Sequence, residues 1–419
     1  MSTNPVSGTS PAGPVHTRDV NRSRAAAFDR WLLGRVVHGF RPARVRFRLW
    51  DGTEMSPSSD APVGTVVFRD RRALLDFARD PELQFGEGYS AGRIELIGDL
   101  VGIHEEAIHA RSGAPERGRN LRSRSTGSSR EDARHHYDVG NDFYELWLDR
   151  EMVYTCAYFD PPDATLEEAQ RAKMEYVCRK AGLRPGMAVL EAGCGWGALA
   201  LFMARHHGVT VKAYNVSAEQ VRWARRRARE EGLDGRVEFL EEDYRAAQGT
   251  FDAFVSVGML EHVGLSNYPA LGDVIARTLT SAGRGLLHFI GRDRPEPLNA
   301  WIEKRIFPGA YPPTVAEVLE GVLQPKGLSV LDVENLRLHY AKTVHAWRLR
   351  FEAAAAKLTS RFDGSFLRAW HLYLVGAEAA FLAGSLQLFQ IAFARSGMND
   401  VPWARSSLYA PREPADGNG

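Results

Sequence analysis

Five short apolar segments alternate with helix-like segments between residues 187 and 290, and this alternation constrains the fold more than any other feature. The apolar segments occupy residues 187–190, 209–214, 237–240, 251–257 and 284–290. Helical patterns cover residues 198–206 and 218–230. Strands that alternate with helices across short turns build a parallel sheet with helices on both faces. We therefore predict an α/β fold with a doubly wound sheet.

A glycine-rich turn, EAGCGWG at residues 191–197, follows the first strand and opens a helix. Its glycines let the backbone approach a ligand closely, and the helix N–H groups favour an anionic or carboxylate group. Three interpretations stay open at this point. Gly193, Gly195 and Ala198 also fit the dinucleotide form G-x-G-x-x-A, and a tight turn without a ligand is the third.

The spacing of acidic residues helps to choose among these interpretations. A dinucleotide site usually has an acidic residue at the end of the second strand, to hold a ribose. That strand ends instead in Tyr214 and Asn215, which disfavours a nicotinamide enzyme. Acidic residues stand at Glu191 and at Glu242-Asp243. Carboxylates at these places would suit a cationic amino group and an adenine amine, and S-adenosylmethionine carries both.

The composition is that of a globular chain. Of 419 residues, 44% are hydrophobic and 25% charged, which excludes a mostly disordered protein. The net charge of +1 gives no reason to expect a nucleic-acid partner. Cys156, Cys178 and Cys194 are too few for a disulfide framework, so we predict a reducing, cytoplasmic setting. No signal peptide is recognisable, and residues 375–394 are interpreted as a buried helix, not a membrane span.

Composition shifts divide the chain into five parts. We predict tails at residues 1–20 and 401–419, a small α+β domain at 21–110, an Arg-rich linker at 111–133 and the α/β domain at 134–400. In the first domain, residues 45–50 and 64–68 are predicted to form a hairpin around Asp51-Gly52, and residues 86–89 a turn. Residues 111–130 hold six Arg against one Glu. Such a segment is typical either of a solvated tether or of a contact with anionic head groups.

Six motifs, taken in order, carry a resemblance to a known family. They are HYDVGND at 136–142, YTCAYF at 154–159, the glycine turn, NVSAEQ at 215–220, GMLEHVG at 258–264 and LHFIG at 287–291. Together they resemble the cyclopropane-fatty-acyl-phospholipid synthases and the mycolic acid cyclopropane synthases. The resemblance runs from about residue 134 to 395, and residues 86–89 and 98–100 resemble the N-terminal domain of the phospholipid enzymes.

The resemblance implies a Rossmann-like class I methyltransferase sheet with a C-terminal helical lipid-binding region and a small N-terminal α+β domain that associates with lipid. It implies that S-adenosylmethionine is the cofactor and that Gln220 binds its ribose. The implied cofactor residues are Tyr154, Thr155, Glu191, Gly193, Cys194, Gly195, Gly197, Asn215, Ser217, Gln220, Glu242 and Asp243.

The resemblance also implies the chemistry. The methyl acceptor is the cis double bond of an unsaturated phospholipid acyl chain, methylation leaves a carbocation, and a bound bicarbonate ion acts as the base. The family's bicarbonate ligands map onto Cys156, Glu261, His288, the backbone of Ile290, and Tyr340. Each side chain alone would be interpreted as a core or surface residue, and only their joint occurrence favours the site.

Glu145 is a departure that bears on the product. It stands where other residue types occur in the cyclopropane enzymes, and as a second catalytic carboxylate it would favour a methylene or methyl-branched product, as in the actinobacterial methyl-branching branch of the family. An exposed helix glutamate is the alternative. The rival functions are a non-catalytic lipid-binding protein and a methyltransferase for a soluble small molecule or nucleic acid.

The remaining expectations concern partners. Aromatic residues between 347 and 394 are predicted to be core residues on a helical pattern, with some lining an acyl-chain tunnel. The linker and the five arginines between 222 and 229 suit peripheral contact with the inner surface of a phospholipid bilayer. By analogy with the phospholipid enzymes we expect a homodimer, and a reductase partner if the product is a methylene chain. Adjacent histidines at 135–136 and 206–207 lack further ligands, so no metal is expected.

Overall fold

A computed structural model describes residues 24–112 and 140–409. The predicted doubly wound sheet is confirmed as a seven-stranded sheet in the order β10-β11-β9-β8-β5-β6-β7. Strands β5 to β9 are parallel to their neighbours in this group, whereas β11 runs antiparallel to both β9 and β10. The strands are β5 (Ala188–Ala192), β6 (Thr210–Tyr214), β7 (Val237–Leu240), β8 (Phe251–Val257), β9 (Leu279–Gly291), β10 (Leu328–Asn335) and β11 (Gln387–Arg395).

The first unit contains a second sheet of four strands in the order β2-β1-β3-β4. Its strands are β1 (Val45–Arg48), β2 (Glu54–Met55), β3 (Gly64–Phe68) and β4 (Ile94–Gly98), and its helices are α1 (Ala27–His38), α2 (Arg71–Arg79), α3 (Pro81–Ser90) and α4 (Leu100–Ser112). The later helices are α5 (Asn141–Tyr144), α6 (Leu166–Ala181), α7 (Ala198–His207), α8 (Ala218–Glu230), α9 (Leu260–Val263), α10 (Tyr268–Thr278), α11 (Ala300–Arg305), α12 (Val315–Val318), α13 (Arg337–Ala353), α14 (Ala355–Thr359), α15 (Gly364–Leu382) and α16 (Ser406–Tyr409).

The strand order places a crevice at the glycine turn. From β5 the chain builds outward first through β6 and β7 on one side and then through β8 and β9 on the other. Ligands of such sheets bind where the order reverses, outside the carboxyl ends of the strands. The turn at residues 193–197 leaves the carboxyl end of β5 and opens α7. The fold therefore brings the glycine turn to the reversal point.

The predicted helix at residues 375–394 is wrong in its second half. Helix α15 ends at Leu382, and residues 387–395 form β11 between β9 and β10. Every residue of β11 except Arg395 is buried. A strand covered on both faces is apolar throughout, so periodicity cannot separate it from a buried helix. Phe389 and Phe393 are consequently core residues of the sheet.

The predicted hairpin of residues 45–50 and 64–68 is also wrong. The turn at 51–52 joins β1 to the short β2, because Thr53 accepts a hydrogen bond from the Leu49 N–H at 2.9 Å and Phe47 pairs with Met55. Residues 56–63 carry the chain across to the other side of β1. Strand β3 therefore enters parallel to β1, with Phe47 opposite Val66.

Residues 86–89 lie inside helix α3, not in the predicted turn. Their glycines serve close packing: a Cβ on Gly86 would lie 2.3 Å from the Trp301 ring, and one on Gly88 would lie 2.7 Å from Ile94. The glycines that suggested a turn are needed because neighbouring side chains pack directly on the helix backbone.

The first unit and the α/β region share one hydrophobic cluster that includes Phe47, Leu74, Trp301 and Trp370. The predicted boundary at residue 110 falls within α4, and the predicted tail 1–20 and most of the linker lie outside the described residues. The domain limits stay a prediction. Among the described helices, none combines the length and apolar character that a membrane crossing requires.

Candidate active site

A large cavity opens at the carboxyl ends of β5, β6 and β8 and holds about 1280 Å³ of empty space, part of it open to solvent. It is lined by every residue predicted to bind the cofactor except Gly197. Lys173, Trp196, Met259 and His262 add to the lining. The structure thus brings together residues that lie between positions 154 and 243 of the chain.

The three glycines of the turn have different neighbours. Gly193, Gly195 and Gly197 have φ values of 81°, 54° and 85°, which side-chain-bearing residues rarely adopt. A Cβ on Gly197 would lie 2.6 Å from Phe239 and 2.8 Å from Ala224, whereas a Cβ on Gly195 would meet no atom within 4 Å. Gly197 is therefore a packing residue, and Gly195 borders open space at the cavity.

Polar side chains shape the rim of this first cavity, called here the cofactor cavity because the predicted cofactor residues line it. The Asn215 amide donates to Gln220 Oε1 at 2.8 Å and to the Gly195 carbonyl at 3.1 Å. Ser217 caps helix α8 by accepting from the Gln220 N–H. Asp243 is ion-paired with Arg245 at 2.7 Å, a partner that the sequence interpretation did not identify.

Glu191 is buried at the floor of the cavity, and its Oε2 has no hydrogen-bond partner among the described residues. Burial raises the pKa of Glu191 to about 8, and the nearby ammonium group of Lys173 partly offsets this rise. A buried carboxylate is costly when it ionises without a partner. An ammonium group of a bound ligand would supply the missing partner.

Lys173 is the principal residue that sequence reasoning missed. Its side chain is fully buried on α6, and its Nζ donates to Thr155 Oγ1 at 2.9 Å. Burial lowers the pKa of Lys173 to about 8, although the charges of Asp149 and Glu191 favour its protonated form. The available signal was a lysine on the apolar stripe of α6, where Ala169, Met174 and other buried residues recur at helical spacing.

Helix α6 also holds the segment that carries the YTCAYF motif. The Gln170 amide donates to the Thr155 carbonyl at 2.8 Å, one helical turn before the contact made by Lys173. Asp149 accepts from the Val153 N–H at 2.9 Å, which closes the turn that precedes the motif. These contacts fix the position of Tyr154 and Thr155, which border two cavities.

Replacing Lys173 with methionine should lower the free energy of unfolding by about 3 kcal/mol, because it leaves buried carboxylates without their cation. We also expect the affinity for S-adenosylmethionine to fall about tenfold, since the Glu191 carboxyl loses its neighbouring charge and Thr155 its donor. Chemical denaturation and titration calorimetry measure the two effects.

Lys180→Met is the matched control for this experiment. Lys180 lies on the same helix and is equally buried, but it pairs with Asp332 and Glu334 at 3.1 and 2.5 Å, away from the cofactor cavity. The Lys180→Met variant should lose a comparable free energy of unfolding and keep its affinity for S-adenosylmethionine. Equal affinity losses in the two variants would show that the Lys173 effect is a general consequence of destabilisation.

A second, smaller cavity of about 370 Å³ adjoins the first. All five predicted bicarbonate ligands line it, namely Cys156, Glu261, His288, Ile290 and Tyr340. They come from the YTCAYF segment, α9, β9 and α13. Tyr154, Thr155, Gly258 and His262 line both cavities, so the two spaces share a wall.

His288 presents one ring nitrogen to the second cavity. Gln390, opposite it on β11, donates its amide N–H to His288 Nδ1 at 3.0 Å. With the Gln390 amide nitrogen facing Nδ1, the proton of the neutral imidazole is assigned to Nε2, which has no partner within the described part of the chain. Burial and the charges of Lys173 and Lys180 hold the pKa of His288 well below its usual range. A neutral histidine is therefore available as a hydrogen-bond donor.

Burial favours the neutral forms of Glu261 and Cys156. Glu261 Oε2 lacks a hydrogen-bond partner in residues 24–112 and 140–409, and burial raises the pKa of this carboxyl to about 7. Burial also raises the pKa of the Cys156 thiol, whose Sγ donates to the Ala157 carbonyl at 3.1 Å. The wall of the second cavity thus contains polar groups whose neutral forms are favoured by burial, and Glu261 Oε2 and His288 Nε2 have no partner in the described residues.

Replacing Glu261 with glutamine should remove a pH dependence of stability. The folded-state pKa of Glu261, about 7, exceeds its ordinary value of 4.5, so the native state binds the extra proton. The free energy of unfolding should therefore fall by about 3 kcal/mol as pH rises from about 5 to 8. The glutamine variant should lack this decrease. Denaturation at several pH values checks it, and parallel curves for both proteins would contradict the predicted titration.

Aromatic rings enclose the second cavity. The hydroxyl groups of Tyr154 and Tyr373 lie 2.8 Å apart, and the ring centres of Tyr373 and Phe307 are separated by 5.4 Å. The ring of Tyr340 packs on Phe381 at 4.5 Å. Of the predicted C-terminal aromatic residues, Tyr373 lines the cavity, whereas others pack in the core around Phe143.

Glu145 does not reach either cavity. It follows the last residue of α5 and is exposed, while its neighbours Phe143, Tyr144 and Trp147 are buried. The lining of both cavities excludes it. The predicted catalytic role of Glu145 therefore has no geometric support, because the buried face of this short segment is taken by the aromatic residues.

A family model described as mycolic acid cyclopropane synthetase matches residues 124–391. The chain belongs to this family. As a family member it is an S-adenosylmethionine-dependent methyltransferase that resembles the cyclopropane-fatty-acyl-phospholipid synthases. The matched range agrees with the residues over which the six motifs carried the resemblance.

Family relatives cover both parts of the chain. A probable fatty acid methyltransferase of Pseudomonas putida is 35% identical over 382 residues, which are 87% of this chain and 96% of that protein. The cyclopropane-fatty-acyl-phospholipid synthase of Escherichia coli K12 is 40% identical over 271 residues, or 64% of this chain and 69% of that protein. The first relative therefore extends the likeness into the N-terminal unit.

A solved structure supports the same assignment. The mycolic acid cyclopropane synthase CmaA1, complexed with SAH and CTAB, superimposes with a TM-score of 0.59 at 30% identity. The match covers 63% of this chain and 97% of that structure. The structural likeness thus corresponds to the α/β region.

Proposed function

We propose that this family member methylates the cis double bond of unsaturated phospholipid acyl chains, giving a cyclopropane or a methylene or methyl-branched chain. The observation that carries the proposal is the pair of adjoining cavities. One is lined by the predicted cofactor residues, and the other holds the unpaired Glu261 Oε2 and His288 Nε2 behind the shared wall. The names of the relatives, which include a fatty acid methyltransferase and a phospholipid synthase, support a lipid acceptor.

The first cavity fits S-adenosylmethionine. Gly195 leaves room for a ligand beside the backbone, and the unpaired Glu191 Oε2 suits an ammonium group. Gln220 and Asn215 line the cavity and bond to each other, and in this proposal their polar groups bind the ribose hydroxyls. The first cavity adjoins the second at Tyr154 and Thr155. In this proposal the methyl donor in the first cavity faces its acceptor at this shared wall.

The second cavity fits a small anion such as bicarbonate. His288 Nε2–H would donate to it, and a protonated Glu261 would share a proton with it without like-charge repulsion. When bound, the two ligands supply an electrophilic methyl group and a base that takes the proton lost by the methylated chain. Tyr340 and the backbone of Ile290 complete the predicted ligand set.

The side chains around the second cavity have a further role in this proposal. The faces of Tyr154, Tyr340 and Phe307 would stabilise a carbocation on the acyl chain, since a desolvated ring attracts a cation. The buried setting keeps water from trapping that cation. A peripheral bilayer contact follows from the substrate, whereas a homodimer and a reductase partner stay predictions from the resemblance.

Labelled S-adenosylmethionine and vesicles of oleoyl phospholipid test the proposal. We expect the label in the acyl chain, with a rate that depends on added bicarbonate. NMR of the product distinguishes a cyclopropane from its methylene isomer, which has the same mass. Folded protein that binds S-adenosylmethionine but leaves the lipid unlabelled in the presence of bicarbonate would contradict it. Label found only in a soluble small molecule would favour the rival acceptor.

A further inference from the structure

We propose that one face of the N-terminal unit docks on the surface of an anionic phospholipid bilayer. The face, called here the aromatic–arginine face, consists of Phe28, Trp31 and Arg35 of α1 and Arg71 of α2. The inference deepens the proposed function, because it names the surface by which an enzyme with a phospholipid substrate would meet the bilayer.

Two large aromatic side chains are exposed on this face. Phe28 and Trp31 have exposed fractions of 49% and 56%, and their ring centres lie 5.6 Å apart. Helix α1 turns its opposite side, with Leu33 and Val37, into the core. Exposed apolar groups that stand together mark an interaction surface more often than scattered ones do.

Arginines surround the aromatic pair. The Arg35 guanidinium lies 5.7 Å from the centre of the Trp31 ring, and that of Arg71 lies 6.0 Å from the Phe28 ring. On α1 and α2, which lie wholly within the described residues, the exposed charged side chains are Arg30, Arg35, Arg71, Arg72 and Arg79, with no exposed acid beside them. The two acids of these helices are buried or half-buried and are ion-paired, Asp29 with Arg71 at 2.7 Å and Asp76 with Arg72 at 3.5 Å, which leaves Arg35 as the charged residue beside Trp31.

This combination matches a bilayer surface in both charge and polarity. Aromatic rings partition into the head-group region, and arginines beside them bind lipid phosphates. Each basic residue near an anionic surface contributes about 1 kcal/mol. A protein partner would instead need a patch that is both acidic and apolar. A second copy of this face is a poor partner, because the arginines of the two copies would repel each other.

The arginines of α8, which the sequence favoured for this role, are differently placed. Four of the five are engaged by carboxylates or by a carbonyl, namely Arg222, Arg225, Arg226 and Arg227. Trp223, the large apolar residue beside them, is only half-exposed and lies under Arg226 at 4.5 Å. That helix therefore offers no exposed aromatic pair comparable to Phe28 and Trp31.

The N-terminal unit contacts helix α15, which also carries a residue of the second cavity. Tyr89 of α3 bonds to His371 of α15 at 3.2 Å, and two residues later on the same helix Tyr373 lines the second cavity. A bilayer contact through α1 and α2 would thus hold the second cavity at a defined place relative to the membrane surface.

Sedimentation with vesicles tests the proposal. We compare vesicles of equal parts phosphatidylglycerol and phosphatidylcholine with vesicles of phosphatidylcholine alone, using the full chain. The Phe28→Ser/Trp31→Ser double variant should lose vesicle binding about tenfold or more. Arg35→Gln should lose about fivefold on the anionic vesicles and little on the neutral ones. Thermal unfolding and cofactor binding confirm that the variants are folded.

Ile97→Ser is the matched control. Ile97 has an exposed fraction of 43% in the same unit, but it lies on β4 between Glu95 and Asp99 in the sequence, and Arg69 is ion-paired with Glu95 there. It should bind vesicles like the unaltered chain. Equal vesicle binding by the double variant and the unaltered chain overturns the proposal. A lower oligomer mass of the double variant in light scattering also overturns it, because it would assign the face to contact between copies.

The assay separates this proposal from the proposed function. Methyl transfer is measured on vesicles and on the same phospholipid dispersed in detergent. If the face docks on the bilayer, the double variant loses transfer on vesicles and keeps it in detergent. If the proposed function is wrong, neither form of the lipid is labelled, while the loss of vesicle binding is still measurable.

Discussion

Replacing His288 with alanine is expected to lower kcat for methyl transfer about 10²- to 10³-fold, the usual cost of removing one buried donor that stabilises reacting charge. The variant removes Nε2, the His288 ring nitrogen without a partner among the described residues, from a side chain that lines the second cavity. The affinity for S-adenosylmethionine should stay the same, since His288 does not line the first cavity. Single-turnover rates and calorimetry measure the two quantities.

Gln390→Leu is the companion variant to His288→Ala. Gln390 orients the imidazole without lining the cavity, so its loss should reduce kcat by about 10-fold to 100-fold and raise the bicarbonate concentration needed for half of the maximal rate. A structural role alone would leave the bicarbonate dependence unchanged. If His288→Ala keeps full kcat, the second cavity is not the reaction site.

Replacing Gly197 with alanine should lower the free energy of unfolding by about 2 to 4 kcal/mol. The new Cβ would clash with the Phe239 ring and with Ala224, at a φ of 85° that alanine rarely adopts. Cofactor binding should be lost with the fold, because the turn carries the residues that line the cavity. Chemical denaturation at constant pH gives the stability change.

The Gly195→Ala variant tests whether this glycine is needed for ligand binding and not for packing. Its Cβ would meet no protein atom within 4 Å, so the stability cost is limited to about 1 kcal/mol from its φ of 54°. The methyl group would stand in the cofactor cavity, and we expect the affinity for S-adenosylmethionine to fall about tenfold or more. Similar stability and affinity losses in the two glycine variants would contradict this division of roles.

Local patterns predicted much of the α/β region. Strands β5 to β8 were expected within two residues of their bounds, because each is a short apolar run between turn residues. The errors occurred where a pattern has two tertiary outcomes. The apolar run of β11 resembled a helix until its burial between β9 and β10 was known, and the glycines of α3 resembled a turn until Trp301 was placed against them.

The candidate site divides in the same way. The resemblance placed Cys156, Glu261 and His288 in one set before any geometry was known, and these residues do border one cavity. The residues that form hydrogen bonds with members of the site were not predicted. Gln390 is 102 residues from His288, and Lys173 contacts Thr155 from another element. Such contacts join distant parts of the chain, and no local spacing encodes them.

Local patterns were enough to predict the alternation of β5 to β9 with their helices, the glycine turn and the family to which the chain belongs, because periodicity and motifs are local properties of the chain. Three features became known from the packed fold: which polar atoms are buried without a partner in the described residues, the exposure of Glu145, and the wall at Tyr154 and Thr155 that two cavities share. Burial and contact between distant residues arise when the sheet and its helices pack, and they set the charge states on which the proposed chemistry depends.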